Sequence, residues 1–173
     1  MFLDVDGCLT NYNDELGSYI THDPSSYDIS STNLNRISNF CQQNDAKIVI
    51  SSNWRRFARD GQWIYNKHFY RNPLNSLYNA LNDTIIGVLP LDAGLNKCEA
   101  LNKWFDINHI DKKYFRFVIF DDDNRECFQY DYVFKHHFVK CNPEFGITAL
   151  DIEKATTIIN SVVGTVNKTT LGN

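Results

Sequence analysis

Short apolar runs recur along this chain, and most of them stop abruptly. Phe2-Leu3 ends at Asp4, Ala46 to Ile50 ends at Ser51, Thr84 to Leu89 is broken by Pro90, and Tyr114 to Phe120 ends at Asp121. Tyr132 to Val139 is the last of the series. Runs this short, nearly continuous and rich in β-branched or aromatic residues are expected of strands buried on both faces. Between them, apolar positions recur at helical spacing. Leu34, Ile37, Phe40 and Cys41 predict a helix that Thr32 can cap and Asn44-Asp45 ends. Leu74 to Leu81 has the same spacing, and a helix expected from near Gly94-Leu95 carries Lys97 and runs through Leu101, Trp104 and Phe105. Thr148, with Asp151 three residues on, caps a final helix whose buried stripe is Ala149, Ile152, Ala155, Ile158 and Ile159. The residues from Gly164 are polar and expected to fray.

Strands alternating with helices predict an α/β fold, a parallel sheet of about five strands with helices on both faces. The chain of 173 residues suits one domain. Its expected extent is 1–163, with a small insert at 54–83 and a polar tail at 164–173. Residues 11–31 read as a polar excursion beside the first strand, with Asn11, Asn13, Gly17 and Pro24 as turn formers. In open parallel sheets the ligand site lies beyond the carboxyl ends of the strands. The polar residues expected there are Asp4 and Asp6, Ser51, and Asp121 with Asp122.

Composition narrows the setting. Hydrophobic residues are 43% and charged residues 22%, with a net charge of −4, so the surface as a whole does not attract nucleic acid. No apolar run approaches the ~20 residues that cross a bilayer, and Asp4 and Asp6 interrupt any signal-peptide pattern at the start. Five scattered cysteines without a C-x-x-C argue against a disulfide framework or zinc site and for a cytoplasmic location. One segment departs from this picture. From Trp54 to Arg71, aromatic residues interleave with Arg55, Arg56, Arg59, Lys67 and Arg71, and Asp60 alone is acidic. Such a run can contact phosphates and stack on unpaired bases, or it can be an ordinary helix with a solvated basic face.

The opening stretch Asp4-Val5-Asp6-Gly7-Cys8-Leu9-Thr10 carries the most chemistry. Alternate side chains of a strand share a face, so Asp4 and Asp6 can point together where the strand ends, and Gly7 lets the chain turn sharply. Two such carboxylates need a cation or a proton to share a dry site. The bland alternative is a strand followed by an Asp-Gly turn. Together with Ile48-Val49-Ile50-Ser51, Lys97, and Val118-Ile119-Phe120-Asp121-Asp122, this stretch resembles the four motifs of the haloacid dehalogenase-like (HAD) superfamily of phosphotransferases, in order. Within it, Ile50 to Arg55 and the segments His137-Phe138-Val139 and Gly146-Ile147-Thr148 resemble the HAD domain of RNA-repair proteins and of polynucleotide kinase 3′-phosphatases.

The resemblance implies a Rossmann-like HAD fold and a Mg²⁺-dependent phosphatase. Asp4 would be the nucleophile and Asp6 the acid and base. Asp4, Asp6 through its carbonyl, and Asp121 or Asp122 would hold the metal. Ser51 would bind the phosphoryl group, with Ser52 taking its place under a one-residue shift, and Lys97 would neutralise charge, with Lys103 as competitor. Ser52, Asn53, Arg55, Arg56 and Arg59 are the expected substrate contacts. Asp123 reads as a loop or capping residue, and His136-His137 as strand residues facing alternate sides. The intervals between motifs leave room for no more than a minimal cap, and an open site admits a large substrate. The expected activity is removal of a terminal 3′ phosphate from nucleic acid. The competing expectations are a phosphatase of free nucleotides and a non-catalytic nucleic-acid-binding module. No membrane partner is expected.

Overall fold

A computed structural model describes residues 1–10, 29–53, 77, 80–81, 83–92, 95–123 and 131–169, with 162–169 described as backbone. Five parallel strands form one sheet: β1 (Phe2–Leu3), β2 (Ile48–Ile50), β3 (Ile85–Val88), β4 (Ile119–Asp121) and β5 (Phe138–Lys140). Their order across the sheet is β3-β2-β1-β4-β5. Phe2 pairs with Val49 on one side and with Ile119 on the other, so β1 is the central strand. The chain builds outward from β1 in one direction and then returns to build in the other. The reversal falls between β1 and β4, where a parallel sheet opens a crevice at its carboxyl edge.

Alternation along each strand supplies two cores. Leu3, Ile48, Ile50, Val118 and Phe120 meet α1 (Ser31–Asn44) and α4 (Ala149–Thr169) on one face. Phe2, Val49, Phe117 and Ile119 meet α2 (Lys97–Ile107) and α3 (Tyr132–His136) on the other. The second core is largely aromatic: Phe2 packs edge-on against Trp104 with ring centroids 5.0 Å apart, and Phe105 lies 5.1 Å from Phe117. Leu77 and Leu81, both helical, are buried in the first core as their spacing predicts.

Several boundaries differ from the sequence pattern, each for a local reason. The N-cap of α1 is Ser30, whose hydroxyl accepts from the Asn33 N–H at 3.4 Å, and not Thr32. Asp45, left-handed at φ 48°, ends the same helix. The strand expected from Tyr114 begins only at Ile119, because the chain turns at Asp111–Tyr114 and leaves Tyr114 74% exposed. The strand expected over Tyr132 to Val139 is strand only from Phe138, as β5, and its first half is instead the short helix α3. Asp131 accepts from the N–H groups of both Val133 and Phe134, and that local cap wins over the β propensity of the run. His136 therefore lies in a helix and His137 at its C-cap, not on a strand. The final helix runs through Gly164, where a frayed tail was expected, to Thr169. Thr148 and Asp151 cap it reciprocally, as the sequence predicts.

Cys8, Cys41 and Cys141 are free and buried, but Cys98 is disulfide-bonded, contrary to the expectation from cysteine spacing. Scattered positions along a chain do not reveal which thiols meet in space. Among the described residues no helix is long and apolar enough to cross a membrane. Residues 11–28 and the whole basic-aromatic run lie outside the described residues, as does most of the expected insert.

His137 is 8% exposed, stacks on Phe117 at 4.1 Å and contacts the Phe117 carbonyl through Nδ1 at 2.8 Å. Burial holds its pKa below the usual 6.5, although the bond to Phe117 opposes that shift. The unfolded chain therefore binds a proton here at a higher pH than the folded one does. This contribution to stability is full above pH 6.5 and is lost as the pH falls through the depressed folded pKa. In urea melts between pH 7.5 and 5, His137→Gln is expected to lose stability less steeply than the parent, by up to about 1.4 kcal/mol per pH unit. Parallel curves would remove His137 as the source.

Candidate active site

The carboxyl ends of β1, β2 and β4 are locked side by side by backbone bonds. Asp4 N–H donates to the Phe120 carbonyl at 3.0 Å, and Ser51 N–H donates to the Leu3 carbonyl at 2.8 Å. Asp4 and Asp121 follow directly from this register, both nearly inaccessible to solvent. With Asp122 they offer three carboxylates whose oxygens lie within 4.8 Å of one another. Segments far apart in the chain thus deliver acidic groups to one point, at the place where strand order reverses.

The loop leaving β1 is fixed by one carbonyl. Val5 C=O accepts from the N–H groups of Cys8, Leu9 and Thr10 at 3.2, 2.8 and 3.1 Å. Thr10 Oγ1 accepts from Gly7 N–H at 3.1 Å and reaches back to the same Val5 carbonyl at 3.5 Å. The D-x-D-G-x-x-T spacing is therefore that of a closed turn in which the threonine ties the end to the start. Gly7 has a φ of 66°, and a Cβ there would lie 2.4 Å from the Asp122 carboxylate. Glycine is required twice over, by backbone conformation and by the approach of Asp122.

Lys97 is the first residue of α2, which Asn96 and Glu99 begin with a capping box. Its ammonium donates to Asp4 Oδ2 at 2.7 Å and to Asp121 Oδ2. Lys103, the competing lysine, lies further along the helix and pairs with Asp92. Burial would depress the Lys97 pKa, but Asp4 and Asp121 together hold it above the ordinary lysine value. Asp121 is pushed up to about 7, chiefly by burial and then by the charge of Asp4, with Lys97 pulling the other way. Asp122 is raised for the same two leading reasons, burial and Asp4. One ammonium does not balance three converging carboxylates. Such a surplus of carboxylate oxygen suits a hard divalent cation such as Mg²⁺, which prefers oxygen ligands.

The other expected residues are placed unevenly. Ser51 and Ser52 are both fully buried where β2 ends, and Asn53 beside them is exposed. Asp6 is half-buried at the start of the loop, and its carboxylate is not one of the three that converge. Asp123 N–H donates to Asp121 Oδ1 at 3.0 Å, so its backbone orients that carboxylate. Arg55, Arg56 and Arg59 lie outside the described residues. The pattern of the chain did not disclose the packing of Asp122 on Gly7 or the Asn96 cap that presents Lys97. The glycine at Gly7 and the Asn-x-x-Glu spacing were the available signals.

The model of one protein family, described as the HAD domain in Swiss Army Knife RNA repair proteins, matches residues 1–152. No curated protein and no solved structure matches the chain.

Two substitutions test this geometry. Lys97→Met leaves Asp4 and Asp121 uncompensated and is expected to lower stability by about 3 kcal/mol, the low end for breaking a buried pair. Mg²⁺ is expected to raise the melting temperature of that variant more than that of the parent. Equal shifts would show that the carboxylates do not share an ion. Gly7→Ala is expected to cost about 1–3 kcal/mol from its backbone conformation and to weaken Mg²⁺ binding by displacing Asp122. Calorimetric titration with Mg²⁺ reads the second effect.

Proposed function

The chain belongs to the HAD domain family of Swiss Army Knife RNA repair proteins, and we propose from that premise that it is a Mg²⁺-dependent phosphomonoesterase that removes a terminal 3′ phosphate from nucleic acid. The observation that carries the reading is the convergence of Asp4, Asp121 and Asp122, with the Lys97 ammonium paired to the first two. A phosphate monoester is an anion, and a carboxylate can attack it only where positive charge offsets the repulsion.

Asp4 is the nucleophile. Its carboxylate forms a bond to phosphorus as the bond to the 3′ oxygen breaks, giving an aspartyl phosphate. Asp6, on the half-buried loop next to it, donates the proton that the departing oxygen needs. The same side chain, now a carboxylate, takes a proton from the incoming water. That water attacks phosphorus, inorganic phosphate leaves and Asp4 is restored. Lys97 offsets charge on Asp4 and on the phosphoryl group. Ser51 or Ser52, at the end of β2, supplies a donor to a phosphoryl oxygen. Asp4, Asp121 and Asp122, with the Asp6 carbonyl, would hold Mg²⁺, which would supply further compensation of the developing charge.

The test is phosphate release from 3′-phosphorylated oligonucleotides, mononucleotides and an aryl phosphate, with Mg²⁺ and with EDTA. Oligonucleotide turnover is expected to exceed that of mononucleotides and to vanish with EDTA. Asp4→Asn is expected to lower it on the order of 10⁴-fold. Faster turnover of mononucleotides would make the protein a nucleotidase. Oligonucleotide binding with no release from any substrate would make it a binding module.

A further inference from the structure

On the side of β4 away from β1 lies the edge strand β5. Its last residue, Lys140, pairs in register with Asp121. Residues opposite one another on neighbouring strands send their side chains to the same face, so Lys140 emerges beside the acidic centre. The next N–H, that of Cys141, donates to the Asp121 carbonyl at 2.9 Å. Lys140 is exposed, and it makes no ion pair among the described residues despite three consecutive aspartates on the adjoining strand end.

Beyond Lys140 the chain makes a tight turn closed by Asn142 and Gly146. Ile147 N–H then donates to the Cys8 carbonyl at 2.9 Å, which ties this turn to the loop carrying Asp6. Two side chains of α1 hold it from behind. Buried Asn33 donates to the Phe145 carbonyl at 3.3 Å, and Arg36 donates to the Ile147 carbonyl at 2.8 Å and to Asn33 Oδ1 at 2.9 Å. Gly146, at φ 65°, has room for no Cβ because Asn33 and the Cys8 carbonyl crowd it. On this braced backbone Phe145 is 50% exposed. A large ring held on a fixed loop and left half in water is available to a flat partner.

We propose that Lys140 and Phe145 form the track along which a single-stranded nucleic-acid end enters the site, Lys140 contacting a backbone phosphate and Phe145 stacking on an unpaired base. The proposal rests on the phosphomonoesterase reading only for what then happens to the terminal phosphate. The charge of the chain makes the placement matter. At a net charge of −4 the surface as a whole repels a polyanion, so an exposed lysine next to the site is well placed to receive one. Stacking tolerates every base because each has a π face, which suits an enzyme that processes ends regardless of sequence.

The experiment is equilibrium binding of a fluorescent single-stranded oligonucleotide ending in a 3′ hydroxyl, with Mg²⁺, across a series of salt concentrations. This ligand cannot be turned over, so the readout is independent of catalysis. Lys140→Ala is expected to lower the slope of log K against log salt by about 0.7, the value of one single-strand phosphate contact. Phe145→Ala is expected to weaken binding by about 5- to 150-fold with the slope unchanged, and Phe145→Trp to keep it. An unchanged slope in the first variant together with unchanged affinity in the second overturns the track, as would a ring that instead serves a protein partner. Hydrolysis of oligonucleotides with neither effect would retire the track and leave the enzyme reading. Both effects without phosphate release from any substrate would do the reverse.

Discussion

Lys97 holds Asp4 and Asp121 together, and without a cation between them these two buried carboxylates would repel each other across a site that excludes water. Three features of the fold converge on keeping that ammonium in place. The aromatic core of Phe2, Phe105 and Phe117 fixes α2 against the sheet. The Asn96–Glu99 cap starts the helix at the lysine itself. The register of β1 with β4 sets the separation of the two acids. Even so, the balance is incomplete: burial first, and then the charge of Asp4, hold the Asp121 pKa up against the pull of Lys97. A cluster with more carboxylate than ammonium gains from taking up a cation.

The same economy governs the loop after β1. A single carbonyl, that of Val5, gathers three amides, and one threonine hydroxyl closes the turn. Asp122 occupies the space that any side chain at Gly7 would need. Residues at 4–10 and at 121–122 are thus shaped against each other. The turn after β5 is attached to both of them, through Asp121 and through Cys8. The acidic centre is a junction of three chain segments, and no one of them defines it alone.

Much of this was readable in the residues. Strands that are buried on both faces and cut off by aspartate or serine announce both the sheet and the edge where chemistry sits, which is why Asp4, Ser51 and Asp121 stood out. Lys97 was harder, because a lysine near a helix start is common, and only its three-dimensional partners separate it from Lys103. The run from Tyr132 to Val139 misled for a definite reason. Its aromatic and β-branched residues favour a strand, but Asp131 satisfies two amides at its start and turns the first half into a helix. Tyr114 and Phe115 misled because apolar residues also occur in exposed turns. The disulfide at Cys98 left no trace in the spacing of the cysteines.

The position of β1 has a further consequence, for how the protein is made. Phe2 must pair with both Val49 and Ile119, so the earliest of the strands to leave the ribosome cannot be completed until β4 has followed it. Until then its apolar edge is open, and the nascent chain depends on β2 and α1 to shield one side while the other waits. Parallel pairings between such distant segments are slow to close. The acidic centre, which needs both edges of β1 filled, therefore comes into being only as the last half of the chain docks.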